Sequence, residues 1–75
     1  MKLKDLIYLV DIQRVPVIIN YRQDGQTWYH YAVRSIDSDR IRDILEREIK
    51  SISIRQKYSF ADDDIVPHLL ISLKD

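Results

Sequence analysis

The pair Asp24-Gly25 lies between two runs rich in β-branched and aromatic residues, and it constrains the fold more than any other feature of the chain. An Asp-Gly pair in this setting is the strongest short-range signal for a β-hairpin, because the tight turn needs backbone angles that glycine adopts without strain. The sequence therefore predicts two antiparallel strands, at about residues 15–22 and 27–34.

A two-residue turn at Asp24-Gly25 also predicts the register, since Gln23 then faces Gln26. One face of this hairpin, which we expect to meet the helices, carries Val15, Val17, Ile19, Tyr21, Trp28, His30 and Ala32. The other face, which we expect to be wetter, carries Ile18, Asn20, Arg22, Thr27, Tyr29, Tyr31 and Val33.

Helical spacing predicts two short helices. Apolar residues at i, i+3, i+4 and i+7 from Leu3 to Val10 form one stripe, which places a first helix at about 2–11. Ser38 is a suitable N-cap for a second helix at about 38–47, in which apolar residues again repeat at helical spacing.

The last third of the chain turns from helical spacing to alternation. Residues 49–55 read as a half-buried strand with Ile52 and Ile54 pointing inward, followed by a polar loop from Lys57 to Asp64. Two aromatic residues in that loop, Tyr58 and Phe60, form either a binding patch or a cover over the open end of a small core.

A last strand is predicted at about 66–73, and Pro67 places it at a strand start or on a sheet edge because proline lacks an N–H for the ladder. The order helix, hairpin, helix, hairpin predicts a single α+β domain over residues 1–75. We expect a four-stranded, mainly antiparallel sheet with two short helices on one face.

Twelve basic and twelve acidic residues cancel, and no block of like charge marks a nucleic-acid-binding arm. With no cysteine, disulfides and thiolate metal sites are excluded, and the composition fits a reducing compartment such as the cytoplasm. The apolar runs are too short to span a bilayer, and charged residues interrupt the first one, so we expect neither a membrane span nor a signal peptide.

The sequence offers few groups for catalysis. The predicted register places His30 and His68 on opposite sheet faces, and Asp62 to Asp64 lack the alternate spacing and the glycine of a calcium loop. The only glycine lies in the hairpin turn, so there is no phosphate-binding loop. We therefore expect no enzymatic activity, no metal and no cofactor.

The outer sheet face is the candidate binding surface, with Tyr29, Tyr31, Arg22, Asn20 and Arg55 as candidate contacts. Tyrosine and arginine are enriched at binding hot spots, which favours a protein partner. The same residues could stack bases and meet phosphates, although the neutral charge makes nucleic acid the weaker alternative. Cross-strand aromatic pairs also stabilise sheets without any binding role, and the face could instead join two copies in a homodimer.

Both ends of the chain carry short patterns, from Met1 to Ile7 and from Glu48 to Ile52, the latter followed by acidic residues and the strand Leu69 to Leu73. In these the chain resembles small proteins encoded in phages and integrative elements of Gram-positive bacteria. The resemblance implies a protein that blocks a host protein, such as a defence nuclease in the manner of anti-CRISPR proteins, or one that binds nucleic acid. It carries over no site residues, and it implies the cytoplasm of a bacterial host.

Overall fold

The computed structural model describes residues 1–12, 14–23, 27–33, 38–60 and 62–75. The elements follow in the order α1 (Leu3–Ile7), β1 (Val17–Gln23), β2 (Thr27–Val33), α2 (Asp39–Arg42), β3 (Ile49–Ser59) and β4 (Asp64–Leu73). The four strands form one sheet in the order β2-β1-β4-β3, with β1 parallel to β4 and the other two pairings antiparallel. The predicted α+β fold with a four-stranded, mainly antiparallel sheet is confirmed.

Both helices pack on the same face of the sheet, as predicted. Leu3 and Ile7 of α1 and Ile41 of α2 are fully buried against the sheet. The core consists of Leu3, Ile7, Val17, Ile19, Tyr21, Val33, Ile41, Ile44, Ile71 and Leu73. Because the core side chains of β1 alternate with more exposed neighbours, the strand has one face on the helices and one face away from them.

The register predicted for the β1–β2 hairpin is wrong by one residue. Gln23 pairs with Thr27 rather than Gln26, and Tyr21 pairs with Tyr29 rather than Trp28. The predicted turn itself, at Asp24-Gly25, and the last residue of the second predicted strand, Arg34, lie outside the described residues. Since side chains alternate between faces, the one-residue shift moves every residue of β2 to the face opposite the predicted one.

Both helices are shorter than predicted. In the first, Leu9 and Val10 donate to carbonyls three residues back, so the helix tightens into turns after Ile7. The chain must then reach the start of β1, where the Leu69 N–H donates to the Pro16 carbonyl. The predicted cap of α2 is confirmed, because the Ser38 hydroxyl accepts from the backbone N–H of Ile41 at 3.4 Å.

The β3–β4 hairpin is longer than predicted, and much of the predicted loop from Lys57 to Asp64 is strand. The placement of Pro67 at a strand start or edge is also wrong, because β4 lies between β1 and β3. The nitrogen of Pro67 points to the same side as that of Leu69, toward β1, but in the described part of the chain β1 pairs with β4 only at Leu69–Ser72. The proline therefore removes no ladder hydrogen bond.

Candidate functional site

A group of exposed apolar side chains lies on the β3–β4 hairpin. Its members are Ile52 (45% exposed), Ile54 (71%), Tyr58 (49%), Ile65 (62%) and Phe60 (90%). Ile52 lies opposite the buried Ile71, and Tyr58 lies opposite Ile65, so the strand members share the helix-side face of the sheet. We call these five residues the arm face.

The arm face is exposed because the helices are too short to cover it. The eleven residues of β3 extend over about 36 Å, whereas the five residues of α1 rise only about 8 Å. Ile52 and Ile54 therefore lie on the inner face, as predicted, but they are not buried. The alternation that continues through Gln56 to Tyr58 was the sequence signal for the longer strand, and the prediction of a loop at Lys57 overlooked it.

The two aromatic residues of the arm face contact one another. The rings of Tyr58 and Phe60 meet edge to face with centroids 5.0 Å apart. The Tyr58 hydroxyl donates to the Asp63 carboxylate, and this hydrogen bond, with a smaller contribution from desolvation, raises the pKa of Tyr58. The proposed alternative that the pair covers the end of the core is wrong, since both rings are exposed.

The arm face is large for a chain of this size. Side chains of roughly 200 Å² each, at the exposed fractions above, present on the order of 600 Å² of apolar surface. The largest apolar patch on a monomeric protein is typically about 300–600 Å², and such patches are often functional. The arm face therefore lies at the upper end of that range and approaches the contribution of about 800 Å² that one partner makes to a standard interface.

The outer edge of the β3–β4 hairpin, formed by β3, is basic. Among the described residues, strand β3 ends the sheet, and the N-terminal residues pair with it only at its start, where the Ile49 N–H donates to the Met1 carbonyl. Between Ile49 and Ser59 the chain has three cations, at Lys50, Arg55 and Lys57, and no acidic residue. None of these three cations forms a salt bridge within the described part of the chain.

The corrected register places the candidate contacts Tyr29 and Tyr31 on the helix side. Tyr29 stacks on Tyr21 at 5.4 Å, and the guanidinium of Arg40 lies within 5.9 Å of the ring centroids of Tyr21, Tyr29 and Tyr31. Arg40 Nε also donates to the Tyr21 hydroxyl at 2.8 Å, which raises the pKa of the guanidinium. These contacts attach α2 to the sheet, and they account for the two tyrosines structurally.

The other candidate contacts stay on the outer face but lie beside different aromatic residues. Opposite Asn20, His30 takes the place expected for Tyr29, and Trp28 lies opposite Arg22. Arg22 lies 5.5 Å from the Trp28 ring centroid, and Asn20 Oδ1 accepts from His30 Nδ1 at 2.5 Å. Arg55 lies two strands from β1, on the edge strand β3, so the structure does not bring all five predicted contacts together.

The two histidines lie on the same outer face, not on opposite faces as predicted. His30 and His68 are nonetheless two strands and four residues apart, which separates them by about 16 Å. His68 is almost fully buried, and its Nδ1 donates to the Val66 carbonyl at 3.0 Å. It lies in a groove of about 440 Å³ beside Arg14 and Asp62.

No cluster of three or more metal-ligating side chains occurs among the described residues. Comparison of the chain with protein-family models, with curated proteins and with solved structures finds no match. In the described ranges, no helix has both the length and the apolar character needed to cross a membrane.

Proposed function

We propose that this chain is a non-enzymatic binding protein that acts by occupying a surface of another protein. The arm face is the surface that contacts the partner, and the observation that supports this is the exposure of its apolar side chains. Apolar side chains such as Ile54 and Phe60 leave most of their surface in water, so they contribute little to the stability of the free chain. Burial of the same side chains against a partner would recover that free energy.

The finer form of the proposal is an inhibitor of a host defence protein, encoded by a mobile element and active in the cytoplasm of a bacterial host. It is supported by the resemblance of the chain ends to phage and integrative-element proteins. A surface contact also suits inhibition, since a small domain that covers a functional surface needs no catalytic group of its own.

A pull-down from a Gram-positive host lysate tests the proposal. The bait is the tagged full chain, and the matched variants are Ile54→Ser with Phe60→Ser on the arm face and Leu9→Ser elsewhere, where the side chain is 81% exposed. We expect the bait to capture one protein that remains bound after the lysate is treated with nuclease. The Leu9 variant should still capture this protein, and the arm-face variant should not. Retention by the arm-face variant would contradict the proposal.

The outer face supports a second candidate function, the binding of single-stranded nucleic acid. Trp28 is 46% exposed beside Arg22 and borders a groove of about 280 Å³ that Lys50 and Lys74 also line, together with Asp75, which pairs with Arg22 at 3.7 Å. An exposed indole among cations can stack a base while the cations meet phosphates. Affinity that falls steeply with salt and is lost in Trp28→Ala would favour this function over protein binding.

A further inference from the structure

The edge of β3 presents backbone groups together with the arm face. The Leu69 N–H bonds toward β1, so the alternate residue His68 and its partner Arg55 bond to one another within the β3–β4 ladder. By the same alternation, the N–H and C=O groups of Ile54 and Gln56 point away from β4. The residues of β3 whose N–H and C=O groups point away from β4 are therefore the same residues whose side chains lie on the helix-side face.

The opposite face of the same strand is basic. Arg55 and Lys57 lie on the face away from the helices, with Ser51 and Ser53 in the same row. A strand added to this edge would thus meet isoleucine and tyrosine side chains on one face and cations on the other. Cross-strand neighbours lie about 5 Å apart, close enough for each row to select its own partner side chains.

We propose that the β3 edge binds an extended segment of a partner protein in which acidic residues alternate with apolar residues. The apolar residues pack on the arm face, and the acidic residues pair with Arg55 and Lys57. The backbone of the segment completes the ladder, which is the established mode of β-strand addition. This inference rests on the proposed function, because it names the chemistry of the partner that the arm face contacts.

Charge complementarity distinguishes this occupant from a second copy of the chain. Two β3 edges side by side would bring six cations together with no acidic residue between Ile49 and Ser59 of either copy. Lysine at an edge strand is a common protection against such self-pairing. The same cations attract a segment that carries carboxylates.

Labelled synthetic peptides test the inference by fluorescence anisotropy with the full chain. One eleven-residue peptide alternates Glu with Val, a second alternates Lys with Val, and a third probe is a ten-nucleotide oligothymidylate. We expect the Glu-Val peptide to bind at least tenfold more tightly than the Lys-Val peptide. Equal affinity for the two peptides would overturn the inference, and tighter binding of the oligonucleotide in competition with the peptide would replace it with nucleic-acid binding.

Two variants test how the peptide is held. Gln56→Pro removes an outward N–H without a loss in the β3–β4 ladder, and we expect it to weaken Glu-Val binding at least tenfold, whereas Gln56→Ala does not. Reversal of both Arg55 and Lys57 to Glu should invert the peptide preference. An unchanged preference, or binding that Gln56→Pro leaves intact, would overturn strand addition.

The failure of this inference and the failure of the proposed function give different results. If the lysate partner is lost by the Ile54→Ser, Phe60→Ser variant but kept by Gln56→Pro, the partner binds the arm face without adding a strand, and only the inference fails. If both variants keep the partner, the proposed function fails as well. Light scattering that shows a dimer disrupted by Gln56→Pro would assign the edge to a second copy and overturn the inference.

Discussion

Ile54 and Ile71 lie on the same side of the sheet but should contribute very differently to stability. Ile71 is fully buried and Ile54 is 71% exposed. Replacement of Ile71 by Ala should cost about 2–5 kcal/mol, which includes the cavity that it leaves. Isoleucine has three more carbons than alanine, and their transfer from water to a fully buried site contributes about 2.4 kcal/mol. Because less than a third of Ile54 is buried, Ile54→Ala should lose only about 0.7 kcal/mol of this transfer free energy.

Urea unfolding of Ile71→Ala, Ile54→Ala and the unchanged chain, followed by circular dichroism, measures both costs. The lower strand propensity of Ala affects both variants, so the difference between them isolates burial. A chain of 75 residues has a free energy of unfolding of roughly 4–11 kcal/mol, which leaves the Ile71 variant measurable in most of that range.

Equal costs at the two positions would refute the reasoning, because Ile54 would then have to be buried in solution. The concentration dependence of the midpoint separates the two ways in which this could happen. A midpoint that rises with protein concentration indicates burial between copies, and a constant midpoint indicates burial within one chain.

Three further predictions test individual contacts. Tyr31→Phe removes the 2.9 Å hydrogen bond to the Ser38 hydroxyl and should cost about 1 kcal/mol in urea unfolding, whereas the register predicted from the turn would give no loss. Ser38→Ala removes the same hydrogen bond and also the cap of α2, so it should cost about 0.5–2 kcal/mol more than Tyr31→Phe, measured in the same way. Hydrogen bonds from Lys4 and Lys2 hold the pKa of Glu46 below its ordinary value of 4.5, so their stabilisation is present above that value and is lost as the pH falls through the lowered pKa. Glu46→Gln should therefore flatten the acid side of the stability–pH profile, and an unchanged profile would contradict this ion-pair assignment.

Local patterns in the sequence were sufficient to predict the element types. Runs of β-branched residues predicted the first two strands and alternation predicted the third, and the capping preference of Ser38 placed the start of α2 correctly. These signals all depend on neighbours within a few residues. The position of Pro67 needed the sheet order. Only the partial overlap of β1 with β4 shows why an interior strand tolerates it.

The candidate site depended on tertiary structure in two ways. Ile54 is exposed because the helices are short relative to β3. The residue pattern of β3 alone does not predict the length of the helices. The faces of Tyr29 and Tyr31 follow from a register that the turn alone does not determine, since a shift of one residue exchanges them.

The sequence by itself determined that the chain forms short helices and four strands, and that β3 carries alternating apolar side chains and a row of cations. The tertiary structure decided which of those side chains are buried. In the observed register the tyrosines pack around Arg40 on the helix side. Whether a side chain is buried depends on elements that are distant from it in sequence. Because the two short helices cover only one end of the sheet, the arm face stays exposed to water.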